Sequence, residues 1–292
     1  DMKRLLVLGL LGFASACANA DSPRPLLWKI SDADNHVYLL GSFHALKPDD
    51  YPVAAAVDGA FADAERVAFE VSPAEMKSPE LTRKMMAAAL LPEGTTLEQQ
   101  LTPKSWRQLQ DYAEKRQVPL QNYARFEPWF MSLIVTLNEM GRSGYDGKLG
   151  LDQSFMDRST DAGKPTQGLE TADEQIAALD SMTADEQRQM LAEALEETED
   201  LAGHLDELHR LWRSGDDVAL TAKTVTEFRD KYPQLYQRIN VARNRAWLPK
   251  VQAMLDGEKS DDTLIVVGSL HLLGEDGLVA LLKAKGYKVE RL

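Results

Sequence analysis

The sequence predicts an α/β (α+β) fold in which a mixed central sheet is built from two pseudo-symmetric halves, with a large helical insertion between them. Two matching stretches carry most of this prediction. "VYLLGSFHAL", residues 37–46, and "LIVVGSLHLL", residues 264–273, are apolar runs that reach Gly-Ser-X-His. Each is followed by a predicted helix and a further strand, so both ends of the chain contain a β-α-β unit. The intervening chain, roughly residues 75–260, has mostly helical patterns.

The first half begins with a predicted β-hairpin in "LLWKISDADNHVYLLGS", where the polar residues 32–35 form the turn. Pro52 opens an Ala-rich stretch that predicts a helix to about Glu65, and "RVAFEV" predicts a short buried strand that ends near Glu70. A strand, a helix and a strand in this order predict parallel strands joined by a right-handed crossover. His44 and Glu70 are therefore expected at the carboxyl ends of neighbouring strands, where open α/β sheets bind ligands.

The second half repeats this order near the carboxyl end of the chain. "TLIVVGSLH" predicts a strand and its rim, residues 275–285 predict a short helix that ends at Gly286, and "YKVERL" predicts a closing strand. In the insertion, "KPTQGLE" predicts one more short strand that ends at Glu170, and "WFMSLIVTL" predicts a buried core helix. Helices are predicted at about residues 79–90, 103–116, 128–140, 152–162 and, as a long series, 184–255.

The amino-terminal residues have the pattern of an export signal. Lys3 and Arg4 precede an apolar run, and small residues follow that end in Ala18-Asn19-Ala20. We therefore expect a signal peptide over residues 1–20, a single domain over residues 21–292 and a periplasmic or secreted protein. A lipid anchor on Cys17 is the alternative, because the residues before it partly resemble a lipobox. No later segment is apolar enough to predict a membrane span.

Charge and missing motifs exclude several classes of function. Lys and Arg total 33 against 46 Asp and Glu, which gives a formal net charge of −13 and opposes binding to a phosphate backbone. The chain contains no G-x-S-x-G hydrolase elbow, Walker loop or G-x-G-x-x-G sequence. Nucleic acid is therefore not an expected partner, and neither nucleotide nor nicotinamide chemistry is predicted. The expected partner is a peptide or small-molecule substrate.

Two of the five histidines occupy matched positions. His44 and His271 each follow a strand end, and Glu70 is expected to place a carboxylate at another strand end beside them. Two imidazoles and a carboxylate with an open coordination position suit a divalent metal that activates water. His204 and His209 stand five apart on a predicted helix, so they face different directions and are expected to be exposed rather than to form a ligand pair.

A glycine precedes each matched histidine by three residues, Gly41 in the first stretch and Gly268 in the second. Glycine permits a backbone turn with positive φ, or a close approach of another group to the strand end. A plain strand-terminating turn would explain each glycine separately, but it would not explain the matched histidines. We therefore expect both glycines beside the site.

Six blocks along the chain together resemble the TraB/PrgY/GumN family, to which the animal Tiki proteins also belong. The blocks are "LLGSFH", "AFEV", "GLDQSF", "GKPTQGLET", "ARNRAW" and "VVGSLH". The resemblance implies a sheet with two related halves, distantly similar to erythromycin esterase and the haem-associated ChaN group. It also implies a Tiki-like metal-dependent protease site at His44, Glu70 and His271 with a divalent metal ion, manganese or cobalt, zinc being compatible as well.

The same resemblance points to four supporting residues. Asp152 and Glu170 are interpreted as additional ligands, as acceptors for imidazole N–H groups, or as helix caps. Arg243 and Asn244 are interpreted as groups that orient a carboxylate or carbonyl of the substrate, or that pair with the abundant acids. Ala242 stands where the family usually has an acid, so this block departs from the family pattern.

One main hypothesis and two alternatives follow. The main hypothesis is an exported metal-dependent hydrolase of peptide or amide bonds, in which Glu70 is either a metal ligand or the base that removes a proton from water. The first alternative keeps the site without the metal, as a His/Glu hydrolase of the esterase type. The second is a periplasmic protein that binds a ligand such as haem or a peptide without catalysis.

Overall fold

A mixed sheet forms the centre of the computed structural model, which describes residues 22–196, 198, 200–257 and 260–292. The expected signal peptide and Cys17 lie outside the described residues. The strands are β1 (Leu27–Ser31), β2 (His36–Ser42), β3 (Arg66–Val71), β4 (Thr166–Glu170), β5 (Thr263–Gly268) and β6 (Lys288–Arg291). They are ordered β4-β3-β5-β2-β1-β6.

The sheet combines parallel and antiparallel pairs, as the sequence predicts. β1 pairs antiparallel with β2, which confirms the hairpin, and also with β6. β5 pairs parallel with both β2 and β3, and β3 pairs parallel with β4. The expectation that β2 and β3 are direct neighbours is wrong, because β5 lies between them. Every residue of β5 is buried, as expected for a central strand with both faces covered.

Helices surround this sheet and fill the long insertion. Predicted helix starts at Pro79, Pro103 and Pro128 are confirmed, because proline at the first helical position is a strong local signal. The α-helices are α1 (Ala55–Asp63), α2 (Pro73–Met76), α3 (Pro79–Ala88), α4 (Leu97–Gln100), α5 (Pro103–Arg116), α6 (Pro128–Arg142), α7 (Leu151–Asp161), α8 (Ala172–Asp180), α9 (Ala184–Glu196), α10 (Leu201–Ser214), α11 (Asp217–Leu220), α12 (Glu227–Lys231), α13 (Pro233–Tyr236), α14 (Ala242–Asp256) and α15 (Leu278–Ala284).

The helical series predicted at residues 184–255 consists of the helices α9 to α14 and two π-helical turns. The π-helical turns span Thr221–Thr226 and Gln237–Val241, and the second continues directly into α14. In α6, Trp129, Met131 and Val135 are fully buried, as the "WFMSLIVTL" stretch predicts. Across the part of the chain that the structure describes, none of the helices combines the length and apolarity needed to cross a membrane.

His209 is not exposed as predicted, because α10 turns it towards a buried carboxylate. Its Nε2 lies 2.8 and 2.9 Å from the two oxygens of Asp50, and Asp50 is completely buried. The Asp50 carboxylate also accepts hydrogen bonds from Arg213 and from the backbone N–H of Lys47. Burial acts to raise the pKa of Asp50, but these hydrogen bonds outweigh it and lower the pKa.

Replacing Asp50 by asparagine should lower the free energy of unfolding by about 2 kcal/mol at neutral pH, because charge-assisted hydrogen bonds are lost. The folded pKa of Asp50 lies below its unfolded value. The stability that ionised Asp50 contributes is therefore fully present above the pKa of the unfolded state, and it is lost as pH falls through the pKa of the folded state. Urea unfolding of both proteins should show a smaller difference in strong acid than at neutral pH, and an equal difference at both would contradict this role.

Candidate functional site

The predicted site residues meet at one edge of the sheet, where the parallel strands β2, β5, β3 and β4 end. His44 follows β2, His271 follows β5, Glu70 lies near the end of β3, and Glu170 ends β4. In the parallel pair of β2 and β5, Ser42 lies opposite Gly268, so the two Gly-Ser-X-His stretches run side by side. Because β5 lies between β2 and β3, the strand end that leads to His271 lies between the strand ends that carry His44 and Glu70.

Gly41 and Gly268 allow close approaches between backbone and side chains. Neither adopts positive φ, so the first of the two predicted reasons for glycine does not apply. A Cβ on Gly268 would lie 2.8 Å from His44 Nε2 and 3.3 Å from Glu70 Oε1, and one on Gly41 would lie 2.7 Å from the hydroxyl of Ser269. Only glycine leaves room for the imidazole and the carboxylate to meet at this strand end.

Glu70 is the central acid of the site. Its Oε1 accepts a hydrogen bond of 2.9 Å from the backbone N–H of Gly268 and lies 3.9 Å from His44 Nε2 and 3.8 Å from His271 Nε2. Its Oε2 accepts a hydrogen bond of 2.8 Å from Arg243 Nη2. Burial acts to raise the pKa of Glu70, but the histidines, the guanidinium and the backbone N–H together lower it to about 2. Glu70 is therefore ionised.

His271 is held as a neutral imidazole with its Nε2 directed into the site. The Asn244 amide donates to the carbonyl of Asp276, so its Oδ1 accepts from His271 Nδ1 at 2.7 Å. The lone pair of His271 is consequently on Nε2, 3.3 Å from Arg243 Nη1, which donates to it. The ring packs against Trp247, and burial lowers the pKa of His271 to about 3 despite the charge of Glu70.

His44 also has a hydrogen-bonded Nδ1, but its surroundings favour the protonated imidazole rather than the neutral one. Its Nδ1 lies 3.1 Å from Asp152 Oδ1, and that oxygen also accepts a hydrogen bond of 2.7 Å from Ser42. Desolvation lowers the pKa of His44, but attraction and a hydrogen bond to Asp152, together with the charge of Glu70, raise it to about 9. The side chain is 56% exposed, so solvent screens part of this attraction.

Arg243 connects Glu70 with the buried Glu170. Its Nη2 donates to Glu170 at 2.6 Å as well as to Glu70, its Nε donates to Glu170 at 3.2 Å, and its guanidinium lies over the ring of Trp247. Glu170 also accepts from Trp247 Nε1 and from Gln175, each at 3.2 Å. Of the predicted supporting residues, Asp152 and Asn244 therefore contact an imidazole Nδ1, whereas Glu170 pairs with Arg243.

Four residues at the site were not predicted from the sequence: Ser42, Gly150, Gln175 and Trp247. Gly150 begins the predicted "GLDQSF" block, and a Cβ there would lie 2.4 Å from the carbonyl oxygen of His44. Trp247 stands four residues after Arg243 on α14, and this spacing places both side chains on one helix face. Ser42 belongs to the repeated Gly-Ser-X-His sequence, so the repeat could have indicated it as a site residue. Nothing in the sequence pattern indicates Gln175.

The three predicted ligands are of residue types that bind divalent metal ions, but their side chains do not form a compact cluster. Within the described ranges, no group of three or more His, Cys, Asp and Glu side chains is arranged as a metal site. Two atoms that each bind one ion at about 2.1 Å are at most about 4.2 Å apart, and the two Nε2–Oε1 distances of 3.9 and 3.8 Å lie within that limit. Both Nδ1 atoms are already hydrogen-bonded, which is the usual support for a histidine ligand.

A cavity of about 210 Å³ opens over this site. His44, Glu70, Asp152 and Gln175 supply its polar wall, and apolar side chains supply the rest: Phe69, Val71, Met76, Met156 and Val266. Positive, neutral and negative groups therefore converge on a space that admits a small part of a substrate.

Comparisons with known proteins give relatives that match most of this chain. It is 23% identical over 254 residues to the uncharacterized protein YbaP of Escherichia coli (strain K12), covering 86% of this chain and 89% of that protein. It is 22% identical over 329 residues to a metalloprotease TIKI homolog of Amphimedon queenslandica, covering 94% of this chain and 63% of that protein. No solved structure matches the chain. The model of the TraB/PrgY/gumN family matches residues 26–291, so the predicted resemblance is confirmed and the chain belongs to the TraB/PrgY/gumN family.

Proposed function

We propose that this protein is an exported metal-dependent hydrolase that cleaves peptide or amide bonds. One observation carries the proposal: two imidazoles, each held through Nδ1 by another side chain, direct Nε2 towards the ionised carboxylate of Glu70. The name of the Amphimedon queenslandica relative, a metalloprotease homolog, supports the same reaction class. The proposal includes that residues 1–20 are an export signal and that the protein acts in the periplasm or as a secreted protein.

His44, His271 and Glu70 would hold the metal, manganese or cobalt in our hypothesis. When bound, such an ion would act as a Lewis acid and lower the pKa of a water molecule beside Glu70. Glu70 either completes the ligand set or accepts the proton of that water at Oε1. Arg243 donates to Glu70, Glu170, His271 and the carbonyl of Ile239, so it would hold the carboxylate and the imidazole in position rather than contact the substrate.

Metal content tests the proposal directly. The purified domain, prepared without chelator and supplied with manganese or cobalt, should contain about one ion per chain by mass spectrometry, because the histidines and the glutamate act as one site. The His44→Ala and His271→Ala variants should each lose that ion. His36→Ala is the matched control, since His36 is a strand histidine that bonds to Ser31 outside the site. Absence of metal from the unaltered protein, or retention by both site variants, would contradict the metal-dependent mechanism.

The Gly268→Ala variant should reduce hydrolysis by about 100-fold, since its methyl group would lie 2.8 Å from His44 Nε2 and would displace the imidazole from Glu70. Gly59→Ala is the control, because a Cβ at that position of α1 meets nothing within 4 Å. Peptide hydrolysis by the two variants and by the unaltered protein gives the comparison. Full activity of Gly268→Ala would show that His44 does not need this approach to Glu70.

A second candidate function, hydrolysis by the histidines and carboxylate without metal, is favoured by a different observation. Asp152 and Glu70 lie beside His44 and raise its pKa to about 9, whereas His271 hydrogen-bonds to the Asn244 oxygen in a buried position that lowers its pKa to about 3. Such a separation supplies a proton donor and a proton acceptor at one pH. Activity that persists after strong chelation, with no metal detectable in the treated protein, would support this reading over the metal-dependent one.

A further inference from the structure

A groove of about 780 Å³ lies in the helical insertion, apart from the smaller cavity over the site. Its volume is within the range of about 300–1,000 Å³ that ligand pockets usually have. We name it the insertion groove and define it by six partly exposed apolar side chains: Leu179, Met190, Leu208, Phe228, Ile239 and Leu270. Apolar side chains that remain partly open within one concave surface indicate a binding site.

Two residues connect the insertion groove to the candidate site. Leu270 immediately precedes His271 in the turn after β5. The carbonyl of Ile239 accepts a hydrogen bond of 3.3 Å from Arg243 Nη1, the same nitrogen that lies 3.3 Å from His271 Nε2. A ligand that fills the groove therefore contacts the residues that hold His271 and Arg243.

Both π-helical turns border the insertion groove. Thr224 of the first turn and Ile239 of the second line it, and the second turn ends two residues before Arg243. A π turn adds a residue to a helical turn, and such irregularities frequently occur at functional sites. The irregular backbone of the insertion therefore coincides with the groove.

Two lysines line the groove, and each already has a carboxylate partner. Lys231 forms an ion pair with Glu193, and Lys223 lies 3.5 Å from Glu207. A fatty-acid carboxylate or an anionic headgroup would have to compete with these glutamates for a cation. A peptide has no such requirement, because its apolar side chains can fill the groove while its main-chain polar groups face the polar rim and solvent.

We propose that the insertion groove binds apolar side chains of an extended peptide substrate, to one side of the bond that is cleaved. The proposal rests on the hydrolase function above and refines it by naming the substrate class. Burial of one leucine or phenylalanine side chain should tighten binding by about tenfold. The groove would thus select peptides with bulky apolar residues, while the site next to it acts on the main chain.

The test compares two fluorescent nonapeptides that are identical except that three leucines in one are serines in the other. Binding is measured by fluorescence anisotropy in the Glu70→Gln background, where the probes are not consumed, and hydrolysis is measured in the otherwise unaltered protein. Ala194→Trp fills the groove from α9, and Thr136→Trp fills it from α6 as a second, independent variant. Ala194→Ser leaves the groove open, and Val218→Trp places the same bulk at a position that is 77% exposed.

We expect the leucine peptide to bind at least about tenfold more tightly than the serine peptide. The two filling variants should abolish this preference, and the two control variants should keep it. Equal affinity for both peptides, or a preference unchanged by both filling variants, would overturn the proposal, as would tighter binding of dodecanoate at the same groove. Groove-dependent binding without hydrolysis would refute the hydrolase function alone, whereas hydrolysis without a leucine preference would refute the groove assignment alone.

Discussion

Replacing Glu70 by glutamine should reduce peptide hydrolysis by about 1,000-fold, within the range expected when a catalytic acid or base is removed. Glutamine keeps the size of the side chain and an oxygen that can accept the N–H of Gly268, but it removes the charge that faces both histidines. Turnover should be lost whether Glu70 is a metal ligand or the base. The fold should be retained, because glutamine keeps the hydrogen bond from Gly268 and Arg243 still pairs with Glu170.

Metal affinity separates the two roles of Glu70. If Glu70 is a ligand, the Glu70→Gln variant should bind manganese or cobalt much more weakly in a chelator competition, whereas a base can be replaced without that loss. Glu75→Gln is the matched control, since Glu75 lies on the following helix and accepts the N–H of Ala172. Full hydrolysis by Glu70→Gln would remove this carboxylate from the reaction altogether.

The Arg243→Ala variant should lower the free energy of unfolding by about 3–5 kcal/mol, because it leaves buried carboxylates without their cation. Arg243 lies 2.8 Å from Glu70 and 2.6 Å from Glu170, and the Glu170 side chain is only 7% exposed. Urea unfolding at neutral pH measures this loss. Arg245→Ala, an exposed arginine on the same helix, should change stability by no more than about 0.5 kcal/mol.

Two further measurements connect this loss to the carboxylates. The Arg243→Ala, Glu170→Ala double variant should recover part of the stability, because one of the unpaired carboxylates has been removed. The pKa of Glu70 should also rise, since Arg243 contributes to lowering it to about 2. The stability that Glu70 contributes above its unfolded pKa should shrink accordingly. Equal stabilities of Arg243→Ala and Arg245→Ala would contradict the ion-pair role.

Local signals in the sequence were sufficient for the strands and for many helix boundaries. The runs that form β2, β3 and β5 are short and apolar, and each ends at polar or glycine residues that stop a strand. Proline begins α3, α5 and α6 at the predicted positions, because its fixed φ favours the first turn of a helix. These features depend on neighbours a few residues away, so they can be recognised without knowing the fold.

The paired histidines were identified from the sequence because they belong to a repeated stretch, and the family resemblance added the four supporting residues. Their roles were left open, because each depends on a partner far along the chain. Asp152 reaches His44 across 108 residues, and Arg243 reaches Glu70 across 173. A carboxylate or guanidinium has the same local pattern whether it caps a helix, binds solvent or supports an imidazole.

The sequence by itself determined the elements, the matched histidines and the expectation of a site at the strand ends. Only the tertiary structure decided that β5 lies between β2 and β3, that Asn244 keeps His271 in the tautomer with an unprotonated Nε2, and that Glu170 pairs with Arg243. It also brought His209 to Asp50 and left a groove beside Leu270. The physical reason is that strand pairing and buried polar contacts are selected by long-range burial, whereas strand and helix propensities arise from neighbours in the chain.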